Sequence, residues 1–125
     1  MSNALAIALG ATLGAWARWL LGVLFNQLLP NFPLGTLAAN LIGGLLMGLT
    51  LGFVGLGKLD NDCLRLLITT GFLGGLTTFS AFTGESLSLL QKQEYFWAAI
   101  HTSSHVLGAL LMAAIGYALV QNFKT

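Results

Sequence analysis

The sequence predicts an all-α membrane protein of four transmembrane helices, and three observations carry that expectation. Charged residues make up 7% and hydrophobic residues 56% of the 125 positions, with a mean hydropathy of +0.83. A soluble domain carries about a quarter charged residues, so this chain could not cover its own surface in water. Apolar runs of bilayer-crossing length recur four times, and the connections between them are short and polar. No extramembrane region is large enough to host an enzyme's active site.

A spanning helix needs roughly 20 mostly apolar residues. The first run covers 4–28 and ends before Pro30, Asn31 and Pro33, where fixed φ angles and missing amides punctuate the chain. The second covers 34–56 and stops at Gly57-Lys58-Leu59-Asp60-Asn61-Asp62. The third, 64–90, gives way to Gln91-Lys92-Gln93-Glu94, and the fourth, 95–120, to Gln121-Asn122-Phe123-Lys124. All 125 residues form one four-helix transmembrane domain. The first apolar run outlasts the core of a signal peptide, so it is expected to remain as a helix rather than be cleaved.

Small residues recur at four-residue spacing: Gly10 and Gly14; Gly44, Gly48 and Gly52; Gly71 and Gly75. This pattern lets helix backbones approach closely in lipid, where no hydrophobic drive brings helices together. Four helices barely enclose a polar pathway, which points to a homo-oligomer. A net charge of +1 gives nucleic acid no electrostatic case. The lone Cys63 has no internal disulfide partner and lies beside Asp62 and Arg65 as an incidental thiol. Both termini share one side, which holds Lys58, Arg65 and Lys124 against Lys92 opposite, with Arg18 inside the first span. That is a weak positive-inside bias. Insertion in both orientations with antiparallel pairing would account for it, and so would a simple shortage of charges.

Polar groups at membrane depth are costly unless partnered, so each is a candidate for function. Arg18 lies between Trp16 and Trp19; it either snorkels to the headgroups or lines a vestibule that concentrates anions. Asn40, in the second span, offers two N–H donors and one acceptor, for an interhelical bond or for a passing anion. The third span carries the densest signal. Gly74-Gly75-Leu76-Thr77-Thr78-Phe79-Ser80 straddles its midpoint and makes a poor helix where water cannot rescue the backbone, so a break at mid-membrane is expected. Freed carbonyls at such breaks can face a cation. Phe79 and Phe82 are three apart and share a face, and a ring's electropositive edge can meet an anion. Ser80 adds a hydroxyl, and Glu85 lies one turn beyond Phe82. In the fourth span His101 and His105 are four apart. Two such histidines can ligate a metal, but no third ligand stands at suitable spacing, so the expectation is a polar stripe along a pathway.

Thr70-Gly71-Phe72-Leu73-Gly74-Gly75-Leu76-Thr77-Thr78-Phe79-Ser80-Ala81-Phe82 closely resembles the signature of the Fluc (CrcB-type) fluoride channels. The likeness extends to Gly10-Ala11-Thr12-Leu13-Gly14-Ala15-Trp16-Ala17-Arg18-Trp19 and to the stretch from Pro33 through Asn40 to Gly43. The resemblance implies a dual-topology, antiparallel homodimer in the bacterial plasma (inner) membrane, with two narrow fluoride pathways and a structural sodium ion, Na+, at its centre. Carried over, the sodium-binding carbonyls fall on Gly74 and Thr77, and the pathway residues on Asn40, Phe79, Ser80 and Phe82. Arg18, Glu85 and His105 are possible vestibule or pathway residues. The fourth helix departs from the family pattern, which often has tyrosine and serine where His101 and His105 stand, and serine at Ala109. Histidine there would add groups able to titrate near neutrality.

The implied function is passive export of fluoride, a small, strongly hydrated anion whose water shell must be replaced by donors weak enough to release it. The main alternative is a small proton-coupled multidrug exporter, which requires a membrane-embedded acid. Such an acid is typical of that class's first helix, and here that helix contains none; Glu85 is in the third span. An accessory subunit with no pathway of its own is a further alternative.

Overall fold

The computed structural model describes residues 1–123, and the regular secondary structure among them is all helical; Lys124 lies outside the described residues. The elements are α1 (Asn3–Phe25), α2 (Leu34–Gly55), α3 (Asp62–Leu66), a wide π-type stretch (Leu67–Leu73), α4 (Gly74–Leu76), α5 (Phe79–Gln91) and α6 (Tyr95–Asn122). Four stretches are long and apolar enough to cross a membrane: α1, α2, the composite Asp62–Gln91, and α6. The protein is a multi-pass membrane protein.

Local chemistry sets the ends. Ser2 caps α1 by accepting the Leu5 amide at 3.1 Å, and Asn61 caps α3 by accepting that of Leu64 at 2.8 Å, relieving amides that have no intrahelical partner. Helix α1 stops at Phe25, three residues before the expected end, because Asn26 turns its side chain to accept the Thr36 amide at 3.0 Å. That bond ties the end of the first span to the start of the second. Helix α2 closes at Gly57, with φ of 68°. There the Lys58 amide reaches the Phe53 carbonyl and the Gly57 amide that of Val54, both at 3.0 Å, a Schellman arrangement.

The end of α5 uses the same geometry without a glycine. Gln93 takes φ of 60°, which costs an L-residue about 1–2 kcal/mol. Gln93→Gly is expected to stabilise the protein by about 1 kcal/mol, read as a rise of a few degrees in its detergent-solubilised unfolding midpoint. An unchanged or lower midpoint would contradict this.

The glycine faces decide which spans meet. A Cβ on Gly10 would strike the Leu67 carbonyl and Phe72 amide, and one on Gly14 the Phe72 carbonyl. Gly71 and Gly75 return the contact against Ile7 and Ala11, so span 1 lies backbone-to-backbone on the first half of span 3. Spans 2 and 4 form a second tight pair, with Gly44 and Gly48 on the Ala109 and Ala113 carbonyls and Gly116 on that of Leu45. Ala39, Leu73 and Leu76 form a small buried core between the pairs, with Leu21, Met47 and Phe72 packed around it. Gly74 differs: a Cβ there would find only Thr69 O, at 3.7 Å. It faces an open side of the bundle.

Candidate functional site

The middle of span 3 organises the site. Leu76 ends α4, then Thr77 (φ −82°, ψ 156°) and Thr78 (φ −150°, ψ 112°) run extended before α5 resumes at Phe79. The chain leaves helical geometry where the Gly-Gly-Leu-Thr-Thr sequence weakens it, and side chains take over the freed groups. In a continuous helix the Thr78 amide would close on the Gly74 carbonyl; here it donates to Asn40 Oδ1 at 2.8 Å. The Ala81 amide, the counterpart of the Thr77 carbonyl, donates to Thr78 Oγ1 at 3.0 Å and so caps α5. The Gly75 carbonyl accepts from Arg18 Nε at 3.0 Å. Arg18 is therefore a partner of the interrupted backbone through its Nε.

Asn40 is more committed than its sequence position indicates. Besides accepting from Thr78, its Nδ2 donates to the Thr78 carbonyl at 3.2 Å and lies 2.8 Å from His105 Nδ1. One amide thus holds both backbone groups of Thr78 and one nitrogen of a fourth-span histidine. Beside it, Phe79 and Phe82 sit with ring centroids 5.6 Å apart, yet their surroundings differ. Phe82 is buried at 8% exposure, whereas Phe79 is 78% exposed. Phe82 stacks on His101 at 5.5 Å and leans on His105 at 4.8 Å. Ser80 is exposed, its hydroxyl 3.4 Å from that of Thr78.

A cleft of about 410 Å³ runs past Asn40, Gly74, Thr77, Phe79, Phe82 and His105. A second hollow, bordered by Arg18, Asn26, Thr36 and Glu85, shares Thr78 with the first. Glu85 is held at both oxygens. Thr36 Oγ1 donates to Oε2 at 2.7 Å, and His101 Nε2 is 3.0 Å from Oε1. His101 is fully buried, with Ser86 Oγ 2.9 Å from its Nδ1.

The expectation that the histidine pair lacks a third potential ligand is corrected here. Helices α5 and α6 are antiparallel neighbours, and they bring Glu85 to the pair, so that donor atoms of Glu85, His101 and His105 lie within 4.8 Å of one another. The spacing rule failed because this neighbour comes from another helix. Sequence reasoning also gave no role to Thr36, Thr78 or Ser86. For Thr78 the signal was present, since a threonine just before a resumed helix is a favoured N-cap. Thr36 and Ser86 carried none.

An apolar bundle with a hydrogen-bonded set of Arg18, Asn40, Thr78, Glu85 and two histidines defines a multi-pass membrane protein built around intramembrane polar groups. The chain belongs to the CrcB family: the family model described as "CrcB-like protein, Camphor Resistance (CrcB)" matches residues 5–117. Similar curated proteins carry the name "Fluoride-specific ion channel FluC". One from Aromatoleum aromaticum is 56% identical over 114 residues, 91% of this chain and 87% of the relative. Another, from Pseudomonas syringae pv. maculicola, is 46% identical over 125 residues, all of this chain and 98% of the relative. A third, from Cupriavidus pinatubonensis, is 52% identical over 111 residues, 89% and 88% of the two chains.

Proposed function

We propose that this protein is a fluoride channel, passively exporting the anion across the bacterial plasma membrane as an antiparallel, dual-topology homodimer. The observation that carries the reading is the interrupted third span, clamped through Thr78 by Asn40 and set beside Phe79 and Phe82, in a chain whose relatives are named fluoride channels. Asn40, Phe79, Ser80 and Phe82 line the pathway. Phe79, largely exposed on one chain, and Gly74, with open space before it, suit a face covered by a second copy.

Sodium fits the same interruption. The Gly74 and Thr77 carbonyls are the two whose expected amide partners, Thr78 and Ala81, donate elsewhere, while the Gly75 carbonyl is already taken by Arg18. Hard oxygen donors at the carbonyl end of a helix suit a small cation. Bound there, Na+ would supply the positive charge that holds these carbonyls together at the dimer centre. The resumed helix α5 presents its amide end to the opposite sign, anions. One interruption thus serves a structural cation on one side and a moving anion on the other.

An exporter that exchanges substrate for protons needs an acid free to do so. Glu85, the acid at membrane depth, has both oxygens engaged. Efflux from liposomes holding purified protein tests the proposal: fluoride should leave rapidly and chloride hardly at all. Absence of fluoride efflux from a folded, reconstituted sample would refute it. Phe82→Ile and Phe79→Ile are each expected to remove flux while leaving the dimer intact on size exclusion. Unchanged flux in both would take the rings out of the mechanism.

A further inference from the structure

Glu85 and the two histidines bring a carboxylate and two imidazoles together inside the bundle, one donor atom of each lying within 4.8 Å of the others. Zinc and ions like it take such a set of nitrogen and oxygen ligands and sit about 2 Å from each. Small side-chain shifts would close the three around one ion. Two of the ligands already have the outer partners that orient a metal's first shell. The Thr36 hydroxyl holds Glu85 Oε2 at 2.7 Å, leaving Oε1 toward His101 Nε2. Ser86 Oγ stands 2.9 Å from His101 Nδ1, and a hydroxyl can accept there as well as donate. With the His101 proton on Nδ1, its Nε2 is bare for a metal beside Glu85.

His105 differs. Its Nε2 is buried with no hydrogen-bond partner, the one such side-chain atom among the described residues, although buried polar groups are nearly always satisfied. A metal would satisfy it. Its Nδ1, however, lies 2.8 Å from Asn40 Nδ2. The Thr78 amide can only donate and claims Asn40 Oδ1, so Nδ2 is the atom that meets the ring, and it too can only donate. A neutral ring that ligates through Nε2 carries its proton on Nδ1, which would set donor against donor. A metal on His105 and the Asn40–His105 bond therefore exclude each other.

We propose that Glu85, His101 and His105 form an inhibitory site for a zinc-class divalent ion, whose binding parts His105 from Asn40 and shuts the pathway. The shut-off rests on the fluoride-channel reading, whereas the binding does not. In each ring the proton passes from Nε2 to Nδ1 and none leaves the site. The hollow bordered by Glu85 is the way in, since that carboxylate is 20% exposed while both histidines are buried. Arg18 borders the same hollow and repels a cation, which makes occupancy reversible rather than permanent. Two imidazoles select against magnesium and calcium, which prefer oxygen ligands. The effect spreads because Asn40 also holds both backbone groups of Thr78, and Phe82 packs on both histidine rings.

The test uses tag-free protein in lipid nanodiscs, with cobalt(II) chloride as optical probe and zinc chloride as competitor, and the same protein in liposomes for flux. Cys63→Ser, compared alongside, removes the one thiol. One cobalt ion per chain should bind with the visible absorption of a four-coordinate site, with or without Cys63, and yield to zinc. Zinc should stop most fluoride efflux, a chelator should restore it, and magnesium chloride should leave it unchanged. Whichever of His101→Gln and His105→Gln folds should weaken binding about tenfold or more. Asn40→Asp, whose carboxylate accepts from a His105 Nδ1–H, should instead tighten binding about tenfold, which general damage to the fold would not do. Weaker binding in Asn40→Asp, binding unchanged by the histidine variants, or zinc bound without loss of flux overturns the proposal. No saturable binding in a sample that conducts fluoride also overturns it and leaves the channel reading standing. Saturable binding by protein that conducts no fluoride without metal overturns the channel reading and the shut-off, and upholds the metal site.

Discussion

Asn40→Leu is expected to reduce fluoride efflux from liposomes to the level of empty vesicles. The reason is the number of groups that depend on one amide. Leucine keeps the same branched skeleton but offers nothing to the Thr78 amide, the Thr78 carbonyl or His105 Nδ1, all within 3.2 Å of Asn40. Each buried group left unpaired costs about 1–3 kcal/mol, and the bilayer provides no water to substitute. The extended Thr77–Thr78 link would lose its anchor, and with it the placement of the Gly74 and Thr77 carbonyls and the direction of His105. Asn40→Asp separates these effects, because it keeps an acceptor for the Thr78 amide. It should fold better than Asn40→Leu and still conduct poorly. Flux near the unmodified level in Asn40→Leu would show that the clamp on Thr78 is dispensable.

Gly48→Leu is expected to abolish the folded protein altogether. Gly48 rests on the backbone of Ala113, so that even a single Cβ would run into its carbonyl group. Backbone has no rotamer by which to yield, and helices α2 and α6 would have to part along the line of their closest contact. In lipid that contact is van der Waals packing rather than escape from water, so separating the pair removes most of what joins them. Gly55→Leu is the matched control, on the same helix, where an added Cβ meets nothing within 4 Å. Size exclusion in mild detergent should show a single sharp species for Gly55→Leu and aggregate for Gly48→Leu. Equal behaviour of the two would refute the assigned packing.

These two variants mark the reach of sequence reasoning. The four-residue glycine spacing announced that helices would approach closely, but not which ones. That Gly10 and Gly14 meet span 3, while Gly44 and Gly48 meet span 4, depends on how each helix is rotated about its axis. The apolar faces here are too uniform to reveal that rotation. Asn40 stood out because an amide inside a membrane is rare, yet its main partner, Thr78, is 38 residues away. The histidine pair was legible as a stripe on one helix face, and its approach to Glu85 was not.

What the sequence determined by itself is therefore the number of spans, their limits to within a few residues, and the short roster of polar groups at membrane depth. The bilayer makes that possible, since a solvent that hydrogen-bonds nothing demands long apolar runs and leaves every polar exception conspicuous. The tertiary structure decided the pairing of those exceptions. Arg18 went to a backbone carbonyl, Asn40 to both groups of Thr78, and Glu85 to Thr36 and His101. Each pair joins different helices, and partner choice follows from distance and angle across an interface. No local pattern along the chain encodes these, because they exist only once the helices have packed.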